Sequence, residues 1–266
     1  FLQVSYPRSG THWIQQIVQL IVHEGNSATS FMEFTKRSPF LEIHEIKTTA
    51  SPRLLRTHVP IGKLRFSPRA KYIYISRNPW DMSVSNYHLS KSAAFNFEAA
   101  TFEEFLDVFL DGQFGFGDFF EHVLSAYKLK DEPNMFFVTY EELQTNKAEV
   151  VLRLAYFLGE QYGRRLEENE DAFKEVLEKS TAAFMKDLMT PSYEELDKAL
   201  AKSSTESEQL RGNNKSKSPK DKARVILHRG MGEWKEFFKP ETIRKMEAVI
   251  DEKGRGLGVM DIWKRV

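Results

Sequence analysis

From Thr11 to Glu24 the apolar side chains fall at Ile14, Ile17, Val18, Ile21 and Val22. This is the i, i+3, i+4, i+7, i+8 spacing of a helix with one buried face. FLQVSY at the start of the chain reads as a short apolar strand, joined to that helix by a tight turn holding Pro7 and Gly10. The pattern recurs at KYIYIS (Lys71–Ser76), an apolar, β-branched and aromatic run suited to a buried parallel strand. Asn78 then predicts an N-cap, Pro79 sits at the favoured first helical position, and Asp81 lies near the positive end of the dipole. NMFFVTY (Asn134–Tyr140) reads as a third such strand, followed by a helix from Glu141 to about Leu158. Thr101 with Glu104 predicts a capping box opening a helix through Phe102, Phe105, Leu106 and Phe109. Near the C-terminus Pro240 predicts the start of a helix carrying Ile243, Met246 and Ile250. Strands alternating with helices predict an α/β fold, one domain over residues 1–266 with a central parallel sheet flanked by helices.

One stretch breaks this rhythm. Ala201 to Lys222, AKSSTESEQLRGNNKSKSPKDK, is polar and nearly free of apolar residues. It fits a solvated loop, and also a mobile flap over a site, since a loop this long in a compact domain is often functional. We expect a lid over 201–230.

Composition narrows the function classes. An apolar fraction of 41% with 13% aromatics supports a buried core. Lysine plus arginine balances aspartate plus glutamate at 38 each, so neither a general nucleic-acid binder nor an anionic-membrane binder is expected. The chain has no cysteine, which excludes disulfides, thiolate catalysis and thiolate-held metals and fits a cytoplasmic protein. No apolar run approaches the length of a membrane span. The first residue is Phe1 rather than Met, which leaves room for an upstream segment.

The chemistry starts at YPRSGTHW, Tyr6–Trp13. Successive backbone N–H groups at a helix N-terminus favour an anion, Gly10 permits close approach, Ser9 and Thr11 supply hydroxyls, and Arg8 adds a cationic fork. The loop lacks the first glycine and the lysine of the Gly-x-x-x-x-Gly-Lys-Ser/Thr pattern. YPRSGTHW resembles the YPKSGTTW loop with which cytosolic small-molecule sulfotransferases bind 3′-phosphoadenosine 5′-phosphosulfate (PAPS). Arg8 stands for the family's lysine and His12 for a threonine. The resemblance implies that Arg8, Ser9, Gly10, Thr11 and His12 hold the 5′ phosphosulfate and that Trp13 stacks on adenine.

Further motifs follow in colinear order. RNPWDMSVSNYH resembles the family's RNxxDxxVSxxxH, which implies that Arg77 and Ser85 grip the 3′-phosphate. HRGMGEWK resembles RKGxxGDWK, one residue shorter, and implies that His228, Arg229 and Gly230 close over the same phosphate. Tyr140 matches a tyrosine that contacts adenine. STAAFM (Ser180–Met185) implies further nucleoside contacts from Ser180 and Met185, with Ala182 or Phe184 at the aromatic position. LLRTHVP resembles LKTHLP, which implies that His58 is the general base and that Arg56, on the same strand face, steadies the transferring sulfonate. Arg8 and the loop amides would then stabilise the leaving charge. RSPFLEIHEI resembles a cavity-lining segment, so Phe40 and Ile43, with His88 and Leu89 nearby, are expected to wall an apolar acceptor slot.

The resemblance therefore implies a sulfotransferase fold, transfer from PAPS to a hydroxyl or amine of a small hydrophobic acceptor, release of adenosine 3′,5′-bisphosphate (PAP), and no metal. Three alternatives stay open: a phosphate-loop small-molecule kinase, a membrane-anchored carbohydrate or protein-tyrosine sulfotransferase, and a silent homologue that binds the nucleotide without turnover. KEFFKPETIRK departs from the family's KxxxTVxxxE dimer motif, so a monomer is expected, with a weak dimer as the lesser possibility.

Overall fold

The computed structural model describes residues 1–44, 46, 51–91, 97, 99–200, 231–254, 258 and 263. The expected lid over 201–230, with His228, Arg229 and Gly230 of the third anchor, lies outside the described residues.

Among the described residues four strands form one parallel sheet: β1 (Leu2–Val4), β2 (Leu55–Thr57), β3 (Tyr72–Ser76) and β4 (Met135–Thr139), in the order β2–β1–β3–β4. The chain passes from β1 outward to β2, then crosses back to lay β3 on the other side of β1. That reversal is a topological switch point, where open α/β sheets bind ligands beyond the carboxyl ends of their strands.

Period-two alternation sends each strand's side chains to two different helical layers. Ile73 and Ile75 of β3 and Phe136 and Val138 of β4 pack with Ile14, Ile17 and Val18 of α1 (Thr11–Val22). Tyr72, Tyr74 and Met135 face the opposite layer, which is built from α3 (Pro79–Ser90), α4 (Phe102–Leu110) and α5 (Phe119–Tyr127). The second face of α1 is buried too, although it carries glutamines. Gln19 donates to the Phe34 carbonyl at 2.9 Å, in α2 (Phe31–Arg37), and Gln16 donates to Ser27 Oγ at 2.9 Å.

The local signals predicted from sequence have their counterparts in space. Asn78 caps α3 through Asp81 N–H with Pro79 at its first position, and Thr101 and Glu104 form the capping box of α4. The helix predicted from Glu141 to Leu158 is instead two, α6 (Tyr140–Thr145) and α7 (Lys147–Leu158). Asn146 separates them with φ −125° and ψ 40°, outside helical geometry. The chain continues through α8 (Glu160–Glu168), α9 (Glu170–Lys179), α10 (Ala182–Leu188) and α11 (Tyr193–Leu200), and resumes before α12 (Pro240–Lys253). Among the described residues no helix is long and apolar enough to cross a membrane.

The C-terminal part docks on the start of α3. Buried Asp81 accepts from the backbone N–H groups of Gly232 at 2.9 Å and Trp234 at 3.2 Å, and the Trp80 and Trp234 rings lie 5.1 Å apart. Asp81→Ala leaves those two half-buried amides without their carboxylate partner. Chemical denaturation should show a loss of about 1–3 kcal/mol in unfolding free energy. A loss below a few tenths would mean that the aromatic contact alone holds the turn.

Candidate active site

The carboxyl ends of all four strands meet at one cavity of about 510 Å³. Pro7 and Arg8 follow β1, His58 follows β2, Arg77 follows β3, Tyr140 follows β4, and all five line it.

The phosphate loop has unusual backbone geometry. Arg8 and Gly10 both adopt left-handed φ angles, 72° and 100°. Such a conformation is strained for arginine, and strain of this kind persists where surrounding structure imposes it. A Cβ on Gly10 would stand 3.0 Å from Ile75 Cδ1 and 3.0 Å from Tyr140 Cδ2, so the turn is pressed against β3 and the start of α6. Ser5 Oγ and Thr11 Oγ1 are 2.8 Å apart and tie the end of β1 to the first turn of α1. Ser9 is fully buried, and its hydroxyl has no hydrogen-bond partner among the described residues. A buried hydroxyl in a loop of amides at a helix start fits an anion oxygen. Arg8 Nε donates to Ser85 Oγ at 3.1 Å, so the two expected phosphate sites adjoin.

At one end the cavity is aromatic. The Trp13 and Tyr140 rings meet edge to face at 5.1 Å, Trp13 Nε1 donates to the Ser180 carbonyl at 2.9 Å, and the Arg77 guanidinium lies 4.5 Å from the Tyr140 ring centre. Ser180, Thr181 and Ala182 complete this wall, with Gln144 and Lys147, two residues that no motif marked. Phe184 is exposed and Met185 is buried beside Phe31 and Phe34, so neither lines the cavity, contrary to expectation. The helical turn of α10, capped by Thr181, rotates both away and presents Ala182 instead.

At the other end sits His58. Its Nδ1 lies 2.7 Å from the Ser5 carbonyl, which can only accept, so Nδ1 carries the hydrogen and Nε2 the lone pair. Glu42 accepts through Oε1 from Thr57 Oγ1 at 2.8 Å, from Val59 N–H at 3.1 Å and from His58 N–H. The motif RSPFLE thus supplies the clamp for the histidine motif, which sequence spacing could not show. Burial holds the His58 pKa below the ordinary 6.5; the Ser5 hydrogen bond and Glu42 oppose this, and Arg56 adds to it. The ring is therefore neutral at neutral pH, with its basic nitrogen available.

Arg56 is not where the same-face argument put it. Its side chain is completely buried, Nε donates to the Ser38 carbonyl at 2.6 Å, and the guanidinium packs 4.2 Å from the Phe40 ring centre and 5.1 Å from that of Phe34. It does not line the cavity. His58 lies beyond the last residue of β2, so the strand's alternation no longer relates the two side chains. Phe40 bridges onto β2 opposite Arg56 and stands 5.0 Å from the His58 ring, buried under the base; contrary to expectation it does not itself line the cavity.

His12 lines the cavity and turns its ring toward the same aromatic group, 5.9 Å from Phe34 and 6.4 Å from Phe40. Burial first, then Arg56, His58 and Arg8, hold its pKa well below 6.5. Leu89 lines the cavity as expected, whereas His88 packs against Phe237 at 5.2 Å and half-buried Ile43 lies in the turn after Phe40; neither lines it. Phe116 was not anticipated. It lies 5.3 Å from His58, exposed between two positive-φ glycines, Gly115 and Gly117. The glycine-flanked aromatic in GQFGFGD was the available signal.

Parallel strands, a loop of amides at a helix start, two arginines, and a tautomer-fixed histidine define a nucleotide-using group-transfer enzyme. The sequence matches the family described as Sulfotransferase domain over residues 1–258. It is 29% identical over 267 residues to Sulfotransferase 1B1 of Mus musculus, covering 95% of this chain and 81% of that protein. To Sulfotransferase 2B1 of Homo sapiens it is 34% identical over 254 residues, covering 92% of this chain and 62% of the other. Among solved structures, mouse sulfotransferase SULT7A1 complexed with PAP superposes with a TM-score of 0.72 at 23% identity, covering 100% of this chain and 87% of that one. Retinol dehydratase in complex with androsterone and inactive cofactor PAP gives 0.75 at 19%, covering 96% and 80%. The chain belongs to the sulfotransferase family and is a transferase that uses PAPS as sulfuryl donor. That membership does not favour the kinase or the silent-binder alternative.

Proposed function

We propose that this protein transfers a sulfuryl group from PAPS to a hydroxyl or amine of a small hydrophobic acceptor, with His58 as general base. The observation that carries this reading is one cavity that joins an aromatic wall at Trp13 and Tyr140 to His58, whose lone pair is on Nε2, across the phosphate loop. Trp13, Tyr140 and Ser180 hold the base of the nucleotide, Arg77 and Ser85 the 3′-phosphate, and Arg8, Ser9, Gly10, Thr11 and His12 the 5′ end. Bound PAPS supplies an activated sulfuryl group on a phosphate leaving group.

His58 Nε2 takes the acceptor's proton as its oxygen or nitrogen bonds to sulfur. The loop amides and Arg8 stabilise the charge left on the phosphate. Arg56 acts from behind, holding Phe40 under the base and adding a fixed positive charge. Phe116 and Leu89 give the acceptor end its apolar character, which suits phenols, aromatic amines, steroids and apolar alcohols. The androsterone held by retinol dehydratase, a related fold, agrees with that class.

The same reading takes the protein as a cytoplasmic monomer. Where the family's dimer motif would fall, Pro240 opens α12, and the preceding Lys239 pairs with Glu103 at 2.6 Å.

The test is transfer of labelled sulfuryl from PAPS across a panel of phenols, catecholamines, sterols and aliphatic alcohols, alongside thermal unfolding. PAP at 100 times its Kd should add about 2.7 kcal/mol of stability, and ATP far less. Equal shifts from both nucleotides, or no shift from PAP, would defeat the assignment of the two phosphate sites.

A further inference from the structure

Beneath the catalytic histidine lies a second imidazole to which the proposed mechanism gives no part. His122, on α5, is fully buried. Its Nδ1 is 2.8 Å from the Tyr74 hydroxyl and its Nε2 is 3.1 Å from the carbonyl oxygen of His58. A carbonyl only accepts, so Nε2 carries the hydrogen, and Nδ1 must accept from Tyr74. The result is a directed chain: Tyr74 O–H to His122 Nδ1, then His122 Nε2–H to the His58 carbonyl. Tyr74 is itself fully buried at the middle of β3, a strand paired on both sides, which gives the chain a rigid origin.

The carbonyl that receives it is in a weak place. His58 follows a three-residue strand at the edge of the described sheet, just past the last ladder pair, Val4 with Thr57. Its N–H is taken by Glu42 and its Nδ1–H by the Ser5 carbonyl, leaving the C=O as the third point that must be fixed. His122 fixes it. Around the imidazole stand the Tyr6 ring, edge-on at 5.5 Å, the Tyr74 hydroxyl, His58, and Lys63 at the turn Ile61–Lys63; among the described residues no carboxylate contacts it or adds to its electrostatic surroundings. Burial holds the His122 pKa down to about 4, so near neutrality the ring keeps one uncharged tautomer.

We propose that His122, oriented by Tyr74, is a positioning residue for the general base: it fixes the His58 backbone so that Nε2 stays in line with the acceptor. This rests on the assignment of His58 as base. A misplacement of about 1 Å at a reacting group can cost on the order of a hundredfold in rate, whereas nucleotide binding, at the opposite end of the cavity, is untouched.

The experiment uses the full chain, with 2-naphthol and labelled PAPS as probe substrates. His122→Phe should lower kcat about 10- to 100-fold with the KM for PAPS within about twofold. His122→Gln, whose amide can still donate to the carbonyl, should recover most of kcat. Long-range proton–nitrogen correlation spectra of the free protein should show His122 as the Nε2–H tautomer only, and as a tautomer mixture in Tyr74→Phe. Equal loss in the Phe and Gln variants, a parallel rise in the KM for PAPS, or an Nδ1–H or charged His122 in the wild type would each overturn the proposal. If His122→Phe does not fold, Tyr74→Phe carries the test, because it removes one hydroxyl and should still lower kcat. Unchanged kcat and an unchanged tautomer in that variant would overturn the proposal equally. A wild type that neither gains stability from PAP nor turns over 2-naphthol defeats the transferase site itself, and the spectra still judge the hydrogen-bond chain separately.

Discussion

Replacing His58 by alanine is expected to lower kcat for transfer from PAPS by about a thousandfold, the middle of the range for losing a general base, with the thermal shift induced by PAP retained. The separation of effects follows from the layout. His58 sits on the acceptor side of the phosphate loop, while Trp13, Tyr140 and Arg77 hold the far end of the cavity. The substitution also spares the local scaffold, because the backbone N–H that Glu42 receives and the carbonyl that His122 contacts both remain.

The pH profile gives a second reading of the same residue. A base must be deprotonated to act, so kcat/KM rises as pH passes upward through the His58 pKa and is flat above it. Burial holds that pKa below 6.5, so the acid limb should lie below 6.5 and neutral pH should fall on the plateau. Unchanged turnover in His58→Ala, or an acid limb above 6.5 in the wild type, would remove His58 from the role.

Three of the four strands were legible in the residue pattern because each carries a local signature. KYIYIS and NMFFVTY are continuous apolar runs, and both proved to be buried parallel strands. The helix starts at Asn78, Thr101 and Pro240 were legible for the same reason, since each is decided within four residues of chain. The break at Asn146 was not, because the apolar spacing of Leu143, Val150 and Leu154 continues across it. Periodicity records which side is buried, and two consecutive helices can bury the same side.

In the site, Gly10, Arg77 and Tyr140 all line the cavity, each in the turn or helix start that follows a strand. Residues whose role depends on side-chain direction beyond the end of an element were placed poorly. Arg56, inside β2, points into the core while His58 lies past the strand's end, and Met185 turns into the core with its helix. Glu42, Phe116 and His122 reach His58 from 16, 58 and 64 residues away along the chain, a relation that exists only after folding.

The phosphate loop itself offers the sharpest test of how closely fold and site are joined. Gly10→Val should both destabilise the protein by about 2–4 kcal/mol and abolish its thermal response to PAP. The position has φ 100°, in the left-handed region that a β-branched residue occupies only under strain. There is also no room: the first added carbon already meets Ile75 and Tyr140 at 3.0 Å, and valine adds two methyl groups beyond it. Ile75 belongs to the core strand β3 and Tyr140 to the aromatic end of the cavity. The clash therefore pushes on folding through one neighbour and on the nucleotide site through the other. Relief requires the turn to move off β3, which redirects the amides of Gly10 and Thr11 away from the anion they would share. Gly10→Ala, which meets the same two contacts without the branch, should fall between wild type and valine in both measurements. If valine lost the PAP response with no change in denaturation midpoint, the loop would be free to move without the sheet. The close approach of Gly10 to Ile75 would then have no energetic meaning.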